Sequence, residues 1–202
     1  MSNTKNTGIV ENITIIYKKI PQGAPKADET FAIQKETLDL DAVEIPAENG
    51  VLLRTLYITI DPYMRNRMQD PKIPSYISAF ESGSPMVGGV IAEVLRSNVP
   101  TISPGDIVQA NTPWKSYVVT QHKDSFHEDI TVIKNARTAG IPLPYYLGVL
   151  GMSGLTAYSG LLDIGKPKSG ETLYVSSAAG AVGQVVGQIG KILGLYVVGS
   201  AG

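Results

Sequence analysis

One stretch decides the fold of the second part of this 202-residue chain: Thr172-Leu173-Tyr174-Val175-Ser176-Ser177-Ala178-Ala179-Gly180-Ala181-Val182-Gly183. Its apolar first half predicts a strand over 172–176, and the small residues that follow lead into a predicted helix over 181–193. A further apolar run predicts a second strand over 195–198. The order strand, glycine turn, helix and strand is typical of one βαβ unit.

The turn Ala178-Ala179-Gly180-Ala181-Val182-Gly183 fits a dinucleotide-binding fingerprint with alanine in its first glycine position. In such a turn Gly180 lets the backbone approach a pyrophosphate, and Gly183 lets the helix pack closely on the strand. The helix N-terminus then offers N–H groups and a positive dipole end to phosphate. A close-packed α/β turn that binds no nucleotide remains the alternative interpretation.

The choice of cofactor has one indication in the sequence. Folds that bind NAD often carry Asp or Glu about 20 residues beyond the fingerprint, at the end of the second strand. Here that region reads Gly199-Ser200-Ala201-Gly202 and contains no acidic residue. The missing carboxylate favours NADP.

Composition and charge exclude several classes of protein. A net charge of −1 provides no basic field for nucleic acid, and the absence of cysteine excludes disulfides and thiolate metal sites. The N-terminus has no apolar signal-peptide region, so we expect a cytoplasmic protein. Residues 138–202 hold five of the 35 charged side chains. A membrane hairpin is therefore an alternative there, but the prolines, glycines and polar residues of this part favour a buried core.

The chain up to about residue 139 is predicted to be β structure, arranged as a barrel or sandwich, because Gly/Pro turns separate short apolar runs. The predicted strands are 10–20, 31–38, 50–60, 89–95, 106–111, 116–121 and 130–133. After residue 139, the pattern changes to helical segments predicted over 144–151 and 154–164.

Three other motifs invite a functional interpretation. The segment 160–167 resembles a phosphate-binding loop, but Pro167 lacks the hydroxyl for Mg²⁺, so we expect Gly165 to be a helix C-cap. His122 and His127, even with a carboxylate such as Asp124 or Glu128, do not have the spacing of a standard metal site.

The third motif is Asp61-Pro62-Tyr63-Met64-Arg65-Asn66-Arg67-Met68, which follows an apolar strand. The favoured interpretation is a short helix capped by Asp61, with Pro62 in its first turn. In the alternative interpretation, the segment is a cleft wall where Tyr63 contacts a ligand.

Four segments together resemble a known family. They are Asp61-Pro62-Tyr63-Met64-Arg65, Pro104-Gly105-Asp106-Ile107-Val108, Leu150-Gly151-Met152-Ser153-Gly154-Leu155-Thr156-Ala157-Tyr158, and 177–183. In this order the chain resembles the medium-chain dehydrogenases/reductases, and within them the zinc-independent alkenal and prostaglandin reductases (leukotriene B4 dehydrogenase-like). The resemblance covers nearly the whole chain, and the absence of cysteine agrees with the zinc-free branch.

The resemblance implies a mixed β and α/β fold: a GroES-like β-barrel domain over 1–139, then linker helices and the first βαβ unit of an incomplete Rossmann domain over 140–202. It implies NADP(H) as cofactor and reduction of the C=C bond of α,β-unsaturated aldehydes or ketones. It assigns Tyr63 and Met152 to substrate, and no metal or catalytic residue. The implied cofactor-binding residues are Pro62, Tyr63, Thr156, Ser177, Ala178, Ala179, Gly180, Ala181, Val182 and Gly183.

Two departures from the family pattern limit these expectations. Some plant members place a substrate-facing tyrosine in the strand that here reads Gly88-Gly89-Val90. Family members also continue beyond residue 202 with a lysine for the NADP 2′-phosphate, a tyrosine near the substrate and more parallel strands. We therefore expect a C-terminally truncated chain that binds NADPH weakly or not at all and has no turnover. The oligomeric state stays open, with a homodimer as the option for the full-length protein. A non-catalytic paralogue that acts as a binding module and a quinone-reductase-type member remain the alternatives.

Overall fold

The computed structural model describes residues 8–123 and 130–202. The chain divides between Lys134 and Asn135 into two compact units, called here the first and the second unit. Among the described residues, no helix has both the length and the apolar character needed to cross a membrane.

The first unit is built of antiparallel strands. β1 and β2 form a two-stranded ribbon in unbroken register from Ile9↔Asp39 to Tyr17↔Phe31. The other strands form a five-stranded sheet in the order β6-β3-β4-β5-β7, which does not close on itself in the described residues. The elements are β1 (Ile9–Tyr17), α1 (Ala27–Thr30), β2 (Phe31–Asp39), β3 (Gly50–Ile58), α2 (Tyr63–Arg67), β4 (Val87–Ser97), β5 (Ile107–Pro113), β6 (Tyr117–Gln121) and β7 (Thr131–Val132).

The core of the first unit lies under β3, β4 and β5. β3 is buried over its first four residues because β4 and β6 pair with it on both edges at this end. Val51, Leu53 and Val90 are fully buried there. Burial of consecutive residues explains why the sequence of β3 alternates only in part between apolar and polar side chains.

The second unit contains one parallel strand pair and the helix that connects it. β8 pairs with β9 from Thr172↔Tyr196 to Val175↔Gly199. α4 packs closely on this pair, since a Cβ on Gly190 would stand 2.8 Å from Leu173 Cδ2 and 3.0 Å from Val197 Cγ2. The predicted βαβ unit, and with it the mixed β and α/β fold class, is confirmed. The elements are a 3₁₀ turn (Leu143–Tyr146), α3 (Met152–Tyr158), a π-helical turn (Ser159–Gly165), β8 (Thr172–Val175), α4 (Ala181–Ile192) and β9 (Tyr196–Gly199).

Two local predictions for the second unit are wrong. The helix predicted over 144–151 is only a 3₁₀ turn, because glycines and non-helical turns follow it. The C-cap of the next helical segment is Lys166, which takes the left-handed conformation with φ 48°, and not Gly165. Pro167 explains the shift, because a residue that precedes proline is disfavoured in the right-handed helical region.

Candidate functional site

The glycine turn joins the end of β8 to the start of α4. Ser177 adopts the left-handed conformation with φ 50°. The N–H of Gly180 donates to Ser177 O at 2.8 Å, and the N–H of Ala178 donates to Ser200 O at 2.8 Å. Both bonds are backbone bonds, so the turn has a fixed course that does not depend on side chains.

The N-terminus of α4 has no side-chain cap among the described residues. Gly180 is its N-cap residue, and the first helical hydrogen bond runs from the N–H of Gln184 to Gly180 O at 3.0 Å. The N–H groups of the first turn therefore point out of the helix at its positive dipole end, and Ala181 is exposed there. This is the arrangement that holds phosphate at helix N-termini.

Gly183 and Gly180 shape the turn by lacking side chains. A Cβ on Gly183 would stand 2.3 Å from Ser177 O and 2.9 Å from Ala178 Cα. A Cβ on Gly180 would stand 3.1 Å from Ser177 O. A backbone turn of this tightness over an uncapped helix N-terminus fits the pyrophosphate of a dinucleotide.

The turn gathers seven of the residues that the sequence assigns to the cofactor. Gly183 is buried, Ala178 and Val182 are half-buried, and the others are exposed: Ser177, Ala179, Gly180 and Ala181. Thr156 and Met152 are exposed on α3, and the Thr156 hydroxyl donates to Met152 O at 2.8 Å. Pro62 and Tyr63 belong to the first unit, at the start of α2.

Asp61 does not cap α2, so that prediction is wrong. The N-cap position is taken by Pro62, and Asp61 contributes only its backbone oxygen, which accepts from Met64 N–H at 3.0 Å. Its Oδ2 is buried with no hydrogen-bond partner among the described residues. Burial raises the pKa of this carboxyl above its ordinary value.

Tyr63 lies half-buried in a polar cluster. Burial, and then the negative charge of Asp61, raise the pKa of the Tyr63 phenol, and the nearby Arg67 partly opposes this. Arg67 donates from Nε to Ser78 O at 2.9 Å and holds its guanidinium carbon 4.0 Å from the centre of the Phe80 ring. These two contacts of Arg67 connect residues 78–80 to α2. The raised pKa means that the Tyr63 phenol is uncharged at neutral pH.

An apolar cavity of about 1040 Å³ lies within the first unit, at the segment for which a cleft wall was the alternative interpretation. Its walls include Phe31, Ile58, Ile60, Met64, Met68 and Trp114, with Asp61, Pro62 and Arg65 at one side. Segment 61–68 therefore forms both a short helix and a cavity wall. The unusual Arg, Met and Tyr content of this segment was the one sequence signal of a cavity wall. Of the predicted site residues, only Pro62 lines the cavity.

Two further sequence expectations concern this unit. A side chain on Gly88 would meet Met64 Cε at 2.6 Å and Trp114 Nε1 at 2.9 Å, which leaves no room there for a tyrosine. In residues 8–123 and 130–202, no three His, Cys, Asp or Glu side chains are grouped to hold a metal ion. His122 Nδ1 accepts from Ile130 N–H at 3.3 Å, while His127, Asp124 and Glu128 lie outside the described residues.

A β domain followed by a glycine turn in a βαβ unit is the arrangement of the N-terminal part of the medium-chain dehydrogenase/reductase fold. Residues 14–127 match the N-terminal domain of an oxidoreductase family. The chain is 43% identical over 197 residues to the 2-alkenal reductase (NADP(+)-dependent) of Nicotiana tabacum, covering 96% of this chain and 53% of that protein. It is 46% identical over 182 residues to the NADPH-dependent curcumin reductase of Escherichia coli, covering 90% and 48%.

Solved structures agree with this assignment. The complex of CurA with NADPH from Vibrio vulnificus superposes with a TM-score of 0.75 at 40% identity, over 94% of this chain and 52% of that one. The chain therefore belongs to this oxidoreductase family, in the zinc-independent alkenal and prostaglandin reductase branch of the medium-chain dehydrogenases/reductases. It spans about half the length of the curated relatives it matches.

Proposed function

We propose that this chain supplies the first domain and the pyrophosphate-binding turn of an NADPH-dependent reductase of α,β-unsaturated aldehydes and ketones. The observation that carries the proposal is the tight turn Ser177–Gly183 over the uncapped N-terminus of α4. The relatives whose names specify NADP-dependent reduction of alkenals and of curcumin support it.

We assign separate roles in binding and reduction to the residues of this chain. The turn from Ser177 to Gly183 would bind the pyrophosphate through backbone N–H groups, and the dipole of α4 would favour its negative charge. NADPH, when bound, would supply a hydride to the β-carbon of the substrate, and a proton added to the α-carbon would complete reduction of the C=C bond. On α3, we assign Thr156 to the cofactor and Met152 to the substrate.

We assign Pro62 to the cofactor, and Tyr63 to the cofactor and the substrate. A tyrosine phenol is protonated at neutral pH, and the raised pKa of Tyr63 keeps it so, so Tyr63 can donate a hydrogen bond to a carbonyl oxygen. Such a donor stabilises the negative charge that develops on the carbonyl oxygen as hydride arrives. We assign no proton donor for the α-carbon.

NADP is the cofactor that the strand end favours over NAD. The region after β9 carries Ser200 where NAD-binding folds often carry a carboxylate. A carboxylate there would repel a 2′-phosphate, and a serine hydroxyl would not.

A second candidate function is a non-catalytic binding module. The apolar cavity of the first unit favours it, since a cavity of this size and lining is typical of sites for apolar ligands. This candidate needs neither the glycine turn nor NADPH.

The deciding experiment captures the native protein with an antibody to the first unit and measures its intact mass and its NADPH oxidation. Two substrates are offered, 4-phenyl-3-buten-2-one and a benzoquinone. Enone reduction supports the proposal, and reduction of the quinone alone supports the quinone-reductase alternative. A native mass of 21.5 kDa with neither activity would contradict the proposal and favour the binding module.

A further inference from the structure

Ser200 connects the end of β9 to the end of β8 and to the start of the glycine turn. Its N–H donates to Val175 O at 3.0 Å, at the end of β8, and its carbonyl oxygen accepts from Ala178 N–H at 2.8 Å. These two backbone bonds fix the position of the Ser200 main chain relative to the turn. The orientation of its hydroxyl then depends on the contacts of the side chain.

The Ser200 hydroxyl has a specific side-chain partner. The phenol oxygen of Tyr174 lies 2.8 Å from Ser200 Oγ, and both residues are exposed. In the parallel pair, Tyr174 lies opposite Val198, two residues before Ser200. Alternation along the strands therefore puts Tyr174 and Ser200 on the face opposite Leu173 and Val197, the two residues that contact α4.

The position of Ser200 gives this contact its meaning. Ser200 follows Gly180 by 20 residues, and it stands at the end of the second strand of the βαβ unit. This is where dinucleotide-binding folds recognise the 2′ position of the adenosine ribose. At this position the chain has two neutral hydroxyls, that of Ser200 and that of Tyr174, whose ring belongs to β8.

We propose that Tyr174 is a positioning residue for the 2′-phosphate of NADP(H), which acts by orienting the Ser200 hydroxyl. When the phenol donates its proton to Ser200 Oγ, the serine proton is directed away from the phenol and is free to donate to a phosphate oxygen. Tyr174 would thus affect recognition of the 2′-phosphate and leave binding of the 5′-phosphate unchanged. The inference rests on the proposed function, because it requires NADP(H) in this turn.

The test is ligand binding to the 202-residue chain, measured without turnover. Adenosine 2′,5′-bisphosphate and 5′-AMP are titrated at up to millimolar concentration, with ¹⁵N chemical shifts as the readout. We expect Tyr174→Phe to weaken binding of the bisphosphate about threefold to tenfold, the range that one hydrogen bond provides. Binding of 5′-AMP should not change.

Two further variants separate positioning from a general structural effect. If Tyr174 acts through Ser200, then Tyr174→Phe in a Ser200→Ala background should cause no additional loss. Tyr196→Phe is the matched control, because it removes an exposed phenol hydroxyl from the neighbouring strand β9. It should bind both ligands like the unaltered chain.

Each remaining outcome contradicts a defined statement. Three results would overturn the role of Tyr174: an equal loss of affinity for both ligands, no loss for either, or an additive loss in the double variant. None of them would contradict the proposal that this chain binds NADPH. Failure of the unaltered chain to bind either ligand would overturn the proposed cofactor binding by this chain, and the role of Tyr174 with it.

Discussion

The carbonyl oxygen of Ser177 lies only 2.3 Å from the point where Gly183 would carry a Cβ. The first turn of α4 therefore rests directly on the backbone of the preceding turn, with no space for a methyl group. Because the obstructing atoms are backbone atoms, a side chain at 183 would have to displace the turn itself. This one contact makes the tightness of the proposed phosphate site depend on glycine.

Gly183→Ala should destabilise the second unit by about 1–3 kcal/mol, since overpacking forces the backbone to shift. It should also weaken NADPH binding, because the N–H groups of the turn move. The changes are measured by urea unfolding followed by circular dichroism, and by NADPH titration.

Gly187→Ala is the matched control on the same helix. Its added Cβ would meet only Val197 Cγ1, at an ordinary 3.8 Å. Alanine favours the helix over glycine by up to about 1 kcal/mol, so this variant should be equally or more stable. Equal effects of the two substitutions would contradict the assignment of Gly183 to the turn.

Asp61→Asn should change how stability depends on pH. Burial raises the folded-state pKa of Asp61 above its ordinary 3.8, so the folded protein holds this proton more tightly than the unfolded chain. The unaltered protein therefore loses stability as pH rises from about 3.8 through the raised pKa, and the loss is complete above it.

Asparagine at 61 cannot ionise, so the stability advantage of the variant should grow with pH across that window. Urea unfolding at several values between pH 4 and pH 7 measures it, with the exposed carboxylate variant Asp163→Asn as control. A constant difference between variant and unaltered protein would show that the Asp61 carboxyl is not penalised by burial.

Arg67→Gln should raise the pKa of the Tyr63 phenol further, because the Arg67 cation is the neighbour that lowers it. The same change removes the cation over the Phe80 ring, so residues near 78–80 lose one anchor. The pKa is followed by the ¹³Cζ shift of Tyr63 in labelled protein.

The comparison variant is Arg65→Gln. Burial raises the pKa of the Tyr17 phenol and Arg65, which donates to Gly23 O, partly opposes this. Loss of Arg65 should therefore raise the pKa of Tyr17 further and leave that of Tyr63 unchanged. Equal shifts of the Tyr63 pKa in the two arginine variants would contradict the assignment of Arg67 as the cation that acts on Tyr63.

Tyr17→Phe should leave stability unchanged or raise it by about 1 kcal/mol. Tyr17 is 1% exposed, and its hydroxyl has no hydrogen-bond partner among the described residues. Removing an unsatisfied buried hydroxyl relieves its desolvation cost, and the ring keeps its contact with Phe80 at 5.9 Å. Thermal unfolding measures the difference.

Tyr17→Ala provides the scale for that measurement, because loss of a buried aromatic ring costs about 3–5 kcal/mol. A clear destabilisation by Tyr17→Phe alone would mean that the hydroxyl binds a buried water molecule in solution.

Local patterns predicted the strands and the glycine turn because their causes are local. The apolar runs were clear enough that β2, β5 and β6 begin and end within two residues of the expected positions, and Pro104-Gly105 marks the start of β5. The turn at 177–183 depends on the absence of side chains, which the sequence states directly. Capping depends on finer detail: Pro62 rather than Asp61 occupies the N-cap of α2.

The cavity could not be predicted in this way. Its walls come from β1, α1, β2, β3 and α2, and from Met86 and Trp114 next to β4 and β5, which are distant in sequence. Nothing in the alternation of Phe31 or the position of Trp114 indicates that they share a wall. The contact of Tyr174 with Ser200 escaped prediction for the same reason, since it depends on the register of two strands joined by a whole helix.

Trp114, the single tryptophan of the chain, gives the two units separate optical signatures. It is 8% exposed in the cavity wall of the first unit, and the second unit holds tyrosines but no tryptophan. Emission excited at 295 nm therefore reports only on the first unit, with no engineered label. Unfolding curves recorded this way, beside far-ultraviolet circular dichroism of the whole chain, would reveal whether the units melt together or one after the other.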